Sequence, residues 1–188
     1  MSKLAGVRRH AVVAELIKRM REAGSWSGET HVQKSLYLLD TLLGVPTDYG
    51  FILYRYGPYS FELHDDIAGM TATGFLELES QIPYGPSLGV TSRAANVLRR
   101  FPRTIKEYEN ELCFVANKLS NDDVISLERL ATALYVTKES GGFGDVESRA
   151  RELHRLKPHV SLEDARLSME RLGQLVEDAS RAGFEVNL

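Results

Sequence analysis

Between Val7 and Met20 the apolar residues Val13, Leu16, Ile17 and Met20 return to one helical face, while Arg8, Arg9, Glu15, Lys18 and Arg19 fall mostly elsewhere, which predicts an amphipathic helix. A Gly- and Ser-rich stretch from Ala23 to Gly28 reads as a loop. Thr30 and Gln33 have capping-box spacing, so a second helix is expected to start there. Its inner stripe is Val32, Leu36, Leu39 and Leu43, and Gly44 with Pro46 stops it. Tyr49 to Tyr56, rich in aromatic and β-branched residues, predicts a strand ended by Gly57-Pro58. Pro58 then suits the first turn of a third helix, closed by Gly74.

From Phe75 the period shortens to two. Leu76, Leu78 and Ile82 are expected to point inward and Glu77, Glu79 and Gln81 outward, with a turn at 83–86 and a partner strand over Leu88 to Val90. Thr91 or Ser92 caps a following helix that carries Val97, Leu98 and Phe101. Beyond Pro102 the pattern is helical throughout. One stripe runs Ile105, Tyr108, Leu112, Val115, Leu119, and another runs Leu162, Ala165, Met169, Leu172, Val176, starting near Ser161 and Asp164. Helices over Val124 to Tyr135 and Val146 to Leu156 lie between them, separated by the loop at 140–144. The expected fold is mainly α (α+β): a winged-helix-like unit over residues 1–102, its wing a small β-hairpin, then an α-helical bundle over 103–188 that stands apart or packs on it as one domain.

The 188 residues are 43% apolar and 26% charged, which fits a globular chain and excludes a disordered or fibrous one. No run reaches the roughly 18 to 20 apolar residues of a membrane span, and residues 1–10 lack a secretory apolar segment, so a soluble cytoplasmic protein is expected. Cys113 is the sole cysteine, expected as a buried thiol without a cationic neighbour.

Catalytic machinery is not evident, and no cofactor or metal is expected. The glycines at 141, 142 and 144 lie between helices without the strand and Lys of a phosphate loop. His64-Asp65-Asp66 has metal-ligand residue types, but consecutive helical positions diverge by about 100°. His154 and His159 flank a helix end and are read as C-terminal or surface residues. The most distinctive segment is Tyr54-Arg55-Tyr56-Gly57-Pro58-Tyr59-Ser60, which joins aromatic rings, a cation, a turn and a helix start. Arg55, Tyr56, Tyr59 and His64 are the candidate partner-binding residues. The competing interpretation makes Gly57-Pro58 a structural turn with Tyr56 and Tyr59 in the core.

Charge bears on the partner. The third helix contains no Lys or Arg but carries Glu62, Asp65 and Asp66, and the hairpin adds Glu77 and Glu79, so phosphates would be repelled there. Basic residues gather on the first helix and at Arg93, Arg99, Arg100, Arg103 and Lys106, which are read as solvated faces. With a net charge of -3, a protein partner is expected, duplex DNA held by a basic face is the alternative, and a homo-oligomer stays open.

The segment from Thr30 to Arg100 resembles the Panacea antitoxin domain and its uncharacterised bacterial and archaeal relatives. Gln33-Lys34-Ser35-Leu36-Tyr37 is similar to that family's Gln-Lys-Leu-Leu-Tyr helix, with Ser35 departing from the usual apolar residue, and Tyr56 to Leu63 is similar to its Tyr-Gly-Pro turn and helix start. Leu127-Glu128 to Tyr135 and Leu156-Lys157-Pro158-His159 resemble the helical tail of the uncharacterised relatives. The resemblance implies a non-catalytic domain that, in its antitoxin branch, neutralises toxins by direct contact.

Overall fold

A computed structural model describes residues 6–81 and 84–188. Helix α1 (Val7–Glu22) lies at its centre, against α2 (Glu29–Thr41), α4 (Ser92–Leu98), α5 (Pro102–Glu107), α6 (Glu109–Leu119) and strand β4 (Tyr84–Val90). Val13, Leu16, Ile17 and Met20 are fully buried, as their spacing predicts. Burial also takes in Ala11, Val12, Ala14 and Glu15, because α1 is surrounded and not laid on a surface. Glu15 is paired there, accepting from Arg19 Nε at 2.8 Å.

Helix α2 begins one residue before Thr30, on Gly28, and no side chain caps it. The expected capping box does not form, because Gln33 is fully buried and its amide is used elsewhere. The stripe Val32, Leu36, Leu39 and Leu43 is buried as predicted.

The chain then forms not one strand but a hairpin, β1 (Ile52–Tyr54) antiparallel to β2 (Gly57–Tyr59), with Tyr54 paired to Gly57. Gly57-Pro58 thus does not end a strand or open a helix: it is the return strand. Gly57 has φ 82°, and a side chain there would place Cβ 3.0 Å from Thr132 Oγ1 and 3.3 Å from the Glu128 carbonyl on α7 (Val124–Glu139), so only glycine fits both the turn and the approach. Helix α3 (Phe61–Ala72) starts after Ser60, whose hydroxyl accepts from the Leu63 N–H at 3.3 Å, and Gly74 at φ 68° closes it as expected.

Strand β3 (Leu76–Gln81) pairs antiparallel with β4, Leu76 opposite Val90 and Leu78 opposite Leu88. The loop after α1 docks on this hairpin: the Leu88 N–H donates to the Ser27 carbonyl at 3.1 Å, and the Ser27 hydroxyl donates to the Leu88 carbonyl at 3.0 Å. Leu76 is buried, but Leu78, expected inward, is 56% exposed. The small side chains Ala68, Thr71 and Ala72 on the facing side of α3 do not reach across to it. The expected inward position of Ile82 lies outside the described residues.

Helices α4 and α5 lead into α6, α7, α8 (Val146–Leu156) and α9 (Leu162–Arg181). Thr91 caps α4, Asp123 α7, Asp145 α8 and Ser161 α9, each accepting a backbone N–H from the third residue on. One continuous buried cluster runs from α1 and α2 through Leu112, Leu127, Leu134, Leu153 and Leu172. Residues before and after 102 therefore share a core. No helix among the described residues is long and apolar enough to cross a membrane.

Replacing Gly57 by Ala is expected to destabilise the fold by about 2 kcal/mol or more, since both backbone and space oppose it. The same change at Gly141, which has φ 77° with nothing within 4 Å, should cost only about 1 kcal/mol. Urea unfolding of the two variants checks the difference; equal losses would mean that the approach to α7 is not what holds this glycine.

Candidate functional site

The first hairpin is held from beneath by buried polar groups. Lys34 is 1% exposed and donates from Nζ to the Pro58 carbonyl at 2.8 Å. Gln33, one residue before it on α2, donates to the Ser60 carbonyl at 2.9 Å and accepts from the Ser60 N–H at 3.0 Å. From the far half of the chain Lys157, just after α8, donates to the Tyr54 and Arg55 carbonyls, both at 2.5 Å. Glu128, nearly buried on α7, acts as counter-charge to both lysines and approaches His159 Nε2 at 3.3 Å. Gln33, Lys34, Lys157 and Glu128, far apart in sequence, thus converge on one short hairpin. Ser35, next to Lys34 on α2, has a buried hydroxyl without a hydrogen-bond partner among the described residues.

Burial pushes the Lys34 ammonium down to about 8, with Lys157 adding repulsion and Glu128 opposing it, and burial lowers Lys157 in the same direction. On its outer side the same hairpin presents aromatic rings. Tyr54 and Phe61 are each 52% exposed and pack on the partly buried Tyr59, with ring centroids 5.8 Å (Tyr54 to Tyr59), 5.1 Å (Tyr59 to Phe61) and 5.5 Å (Tyr54 to Phe61) apart. His64 lies 6.3 Å from Tyr59, and both reach Glu29: His64 Nδ1 at 2.7 Å and the Tyr59 hydroxyl at 3.3 Å. That carboxylate raises the His64 pKa through its hydrogen bond and charge. Partial burial, with Glu29 adding to it, pushes the Tyr59 phenol up to about 12.

Beside Glu29 and His64 a groove of about 470 Å³ opens between α3 and the second hairpin, floored by Ile67, Ala68, Leu78 and Leu88. Glu62 and Asp65 are exposed on the same helix. Asp66 is not free to join them: it pairs with Arg9 at 2.7 Å and His10 at 3.2 Å, and accepts from the Tyr49 hydroxyl at 2.8 Å. His64 and Asp66 therefore turn to different partners, and no group of three metal-ligand side chains forms among the described residues.

Of the four candidates, Tyr59 and His64 come together over Glu29. Arg55 and Tyr56 form the exposed tip of the hairpin, Tyr56 at 59% exposure and so not in the core, and only the Arg55 carbonyl is anchored. The sequence singles out neither Phe61 nor Glu29, brings in Tyr54 only as part of the distinctive segment, and places Leu78 inward. Phe61 had a legible signal, a large apolar side chain at the first helical position after a Ser cap. Cys113 is half-buried with an Arg19 guanidinium against its sulfur, contrary to the expectation of no cationic neighbour, because α1 packs on α6.

No protein-family model and no curated protein matches the chain. What the site does must be argued from its chemistry.

Below pH 8 both folded and unfolded states carry a charged Lys34, and the folded state bears a burial cost on the order of 3 kcal/mol. Between about 8 and the usual 10.5 the folded state gives up that proton first, so the unfolded state binds more protons and stability rises with pH. Tyr37 and Tyr49, whose pKa values burial raises, reverse the trend above about 10. Urea unfolding from pH 7 to 10 is expected to show the rise in the wild type and a much shallower slope in Lys34→Met; identical slopes would remove Lys34 as its source.

Proposed function

We propose that this chain is a non-catalytic protein-binding module, an antitoxin-like or regulatory component of a toxin–antitoxin or anti-phage system. In this reading α1, α2, α3 and the β3–β4 hairpin form a winged-helix-like unit, and α6 to α9 are the helical bundle that braces it. The carrying observation is the exposed Tyr54–Tyr59–Phe61 cluster, continuous through His64 and Glu29 with the apolar groove that Leu78 lines. Half-exposed aromatic rings fixed on a rigid hairpin are what interfaces use as anchors, since they bury large areas at little entropic cost. The exposed acids Glu62 and Asp65 beside that surface favour a partner segment that brings cations.

The same acids argue against α3 lying in a DNA groove, because α3 holds no Lys or Arg and would meet phosphates with like charge. The groove's polar lining is Glu29, His64 and Thr71, so it offers surface for burying side chains more than groups for moving protons. The likeness of Gln33-Lys34 and Tyr56-Gly57-Pro58 to the Panacea motifs adds the expectation of a toxin or effector as the thing gripped.

Affinity purification of the tagged chain from its host, with wild type and Phe61→Asp/Leu78→Asp side by side, tests the reading. Both positions are exposed, so the variant should keep its circular dichroism and melting temperature. A specific protein retained by the wild type and reduced at least tenfold with the variant is expected. If the two retain the same proteins in equal amount, the aromatic surface is not the interface; if concentration-dependent self-association is what the variant loses, the occupant is a second copy of the chain.

A further inference from the structure

Six exposed cations of the described residues are matched by a carboxylate: Lys18 by Glu15 and Glu22, Lys118 by Asp178, Arg151 and Arg166 by Glu147, Arg155 by Glu152, Arg181 by Glu177 and Asp178. On α1, Arg9, Arg19 and Arg21 are likewise matched, by Asp66, Glu15 with Glu109, and Glu79. Arg93, Arg99, Arg100, Arg103 and Lys106, all exposed on α4, α5 and the turn between them, close no ion pair among the described residues. Arg93 reaches the Thr73 carbonyl at 2.9 Å and Arg99 bonds Asn96, both uncharged acceptors. The other exposed, unmatched cations of the described residues, Arg8, Arg55 and Lys138, each sit on a different element. The sequence placed basic clusters on α1 and at 93–106 alike; folding pairs the first, except for Arg8, and leaves the second open.

Five like charges on adjoining elements without an ion pair of their own are unfavourable for the isolated fold, and a polyanion lying against them relieves that repulsion. Residues 91–108 contain a single acid, Glu107, which accepts from the neighbouring Tyr108 hydroxyl, and the two carboxylates that line the cleft beside Arg99 and Lys106, Glu15 and Glu109, are both bound to Arg19. The large hydrophobic side chains that stand exposed, among them Tyr54, Phe61 and Leu78, all lie outside this stretch. A protein interface would need an apolar anchor here, and single-stranded nucleic acid an exposed ring for stacking. Duplex RNA is read through its 2′-hydroxyls, and the exposed uncharged polar side chains of 91–108 are Ser92 and Asn96, the latter already engaged by Arg99.

We propose that the α4–α5 face binds the phosphodiester backbone of duplex DNA, without base readout, on a part of the molecule distinct from the aromatic surface. Contacts of this kind position a protein on a duplex and are sequence-independent. The binding is electrostatic and reversible with salt, and it does not depend on the protein-binding reading above.

Fluorescence anisotropy of a labelled duplex of about 20 base pairs, titrated with the full chain from 50 to 200 mM salt, tests it. Binding should weaken steeply with salt, by about 0.9 in log–log slope for each phosphate neutralised. Arg100→Glu/Arg103→Glu should lower affinity at least tenfold and flatten the slope by about 2. Arg100→Gln/Arg103→Gln, a milder change for the fold, should move both in the same direction by less. Arg151→Glu/Arg155→Glu alters net charge equally on another helix and should leave binding within about twofold. No duplex binding at 50 mM salt, equal losses in both charge-reversal variants, or tighter binding to single strands, duplex RNA, anionic vesicles or polyglutamate would each overturn the proposal.

Discussion

Lys34 and Lys157 donate to three carbonyls of one short hairpin, and the display of aromatic rings above it depends on that contact. A two-stranded hairpin of three residues a side has too little pairing to persist alone. Here its backbone acceptors are met by ammonium groups that have themselves lost water, with Glu128 as counter-charge, so each group's desolvation is offset only while the others stay in place. Such an arrangement is all-or-none. It sets Tyr54, Tyr59 and Phe61 on a rigid platform and leaves their outer faces open.

The outer surface divides by chemistry. Around the first hairpin and α3 it is aromatic, passing into an apolar groove beside the second hairpin, with acids alongside; around α4 and α5 it is cationic and lacks exposed large apolar side chains. Thr91 links the two regions, accepting from the Ala94 N–H to start α4 while its hydroxyl donates to the Gly74 and Phe75 carbonyls behind α3. One side-chain hydroxyl therefore ties the start of α4 to the end of α3.

How much of this was legible beforehand depended on whether the cause was local. Helix α8 follows its predicted bounds, and Gly74, Thr91 and Ser161 act where their caps and stops predicted, because those signals act within four residues. Gln33 and Pro58 were misread for the opposite reason. Each has a strong local preference, a capping box in one case and a first helical turn in the other, that a partner more than twenty residues away overrides. The site divides the same way. Tyr59 and His64 were visible as unusual residues near a turn, whereas Glu29, which joins them, lies thirty residues upstream of Tyr59 in an unremarkable stretch. The two basic clusters were indistinguishable as sequence, since matching by a carboxylate is a property of the folded surface.

Lys157 stands 103 residues downstream of the Tyr54 carbonyl that it holds. At ribosomal elongation speeds that separation is a delay of roughly 5 to 20 s during which the turn exists in the nascent chain without its clamp. Lys34 and Gln33 can hold the hairpin early, but the contact that joins it to the far half of the chain forms only after most of the polypeptide has been made. Synthesis order therefore separates the birth of the turn from the completion of its support.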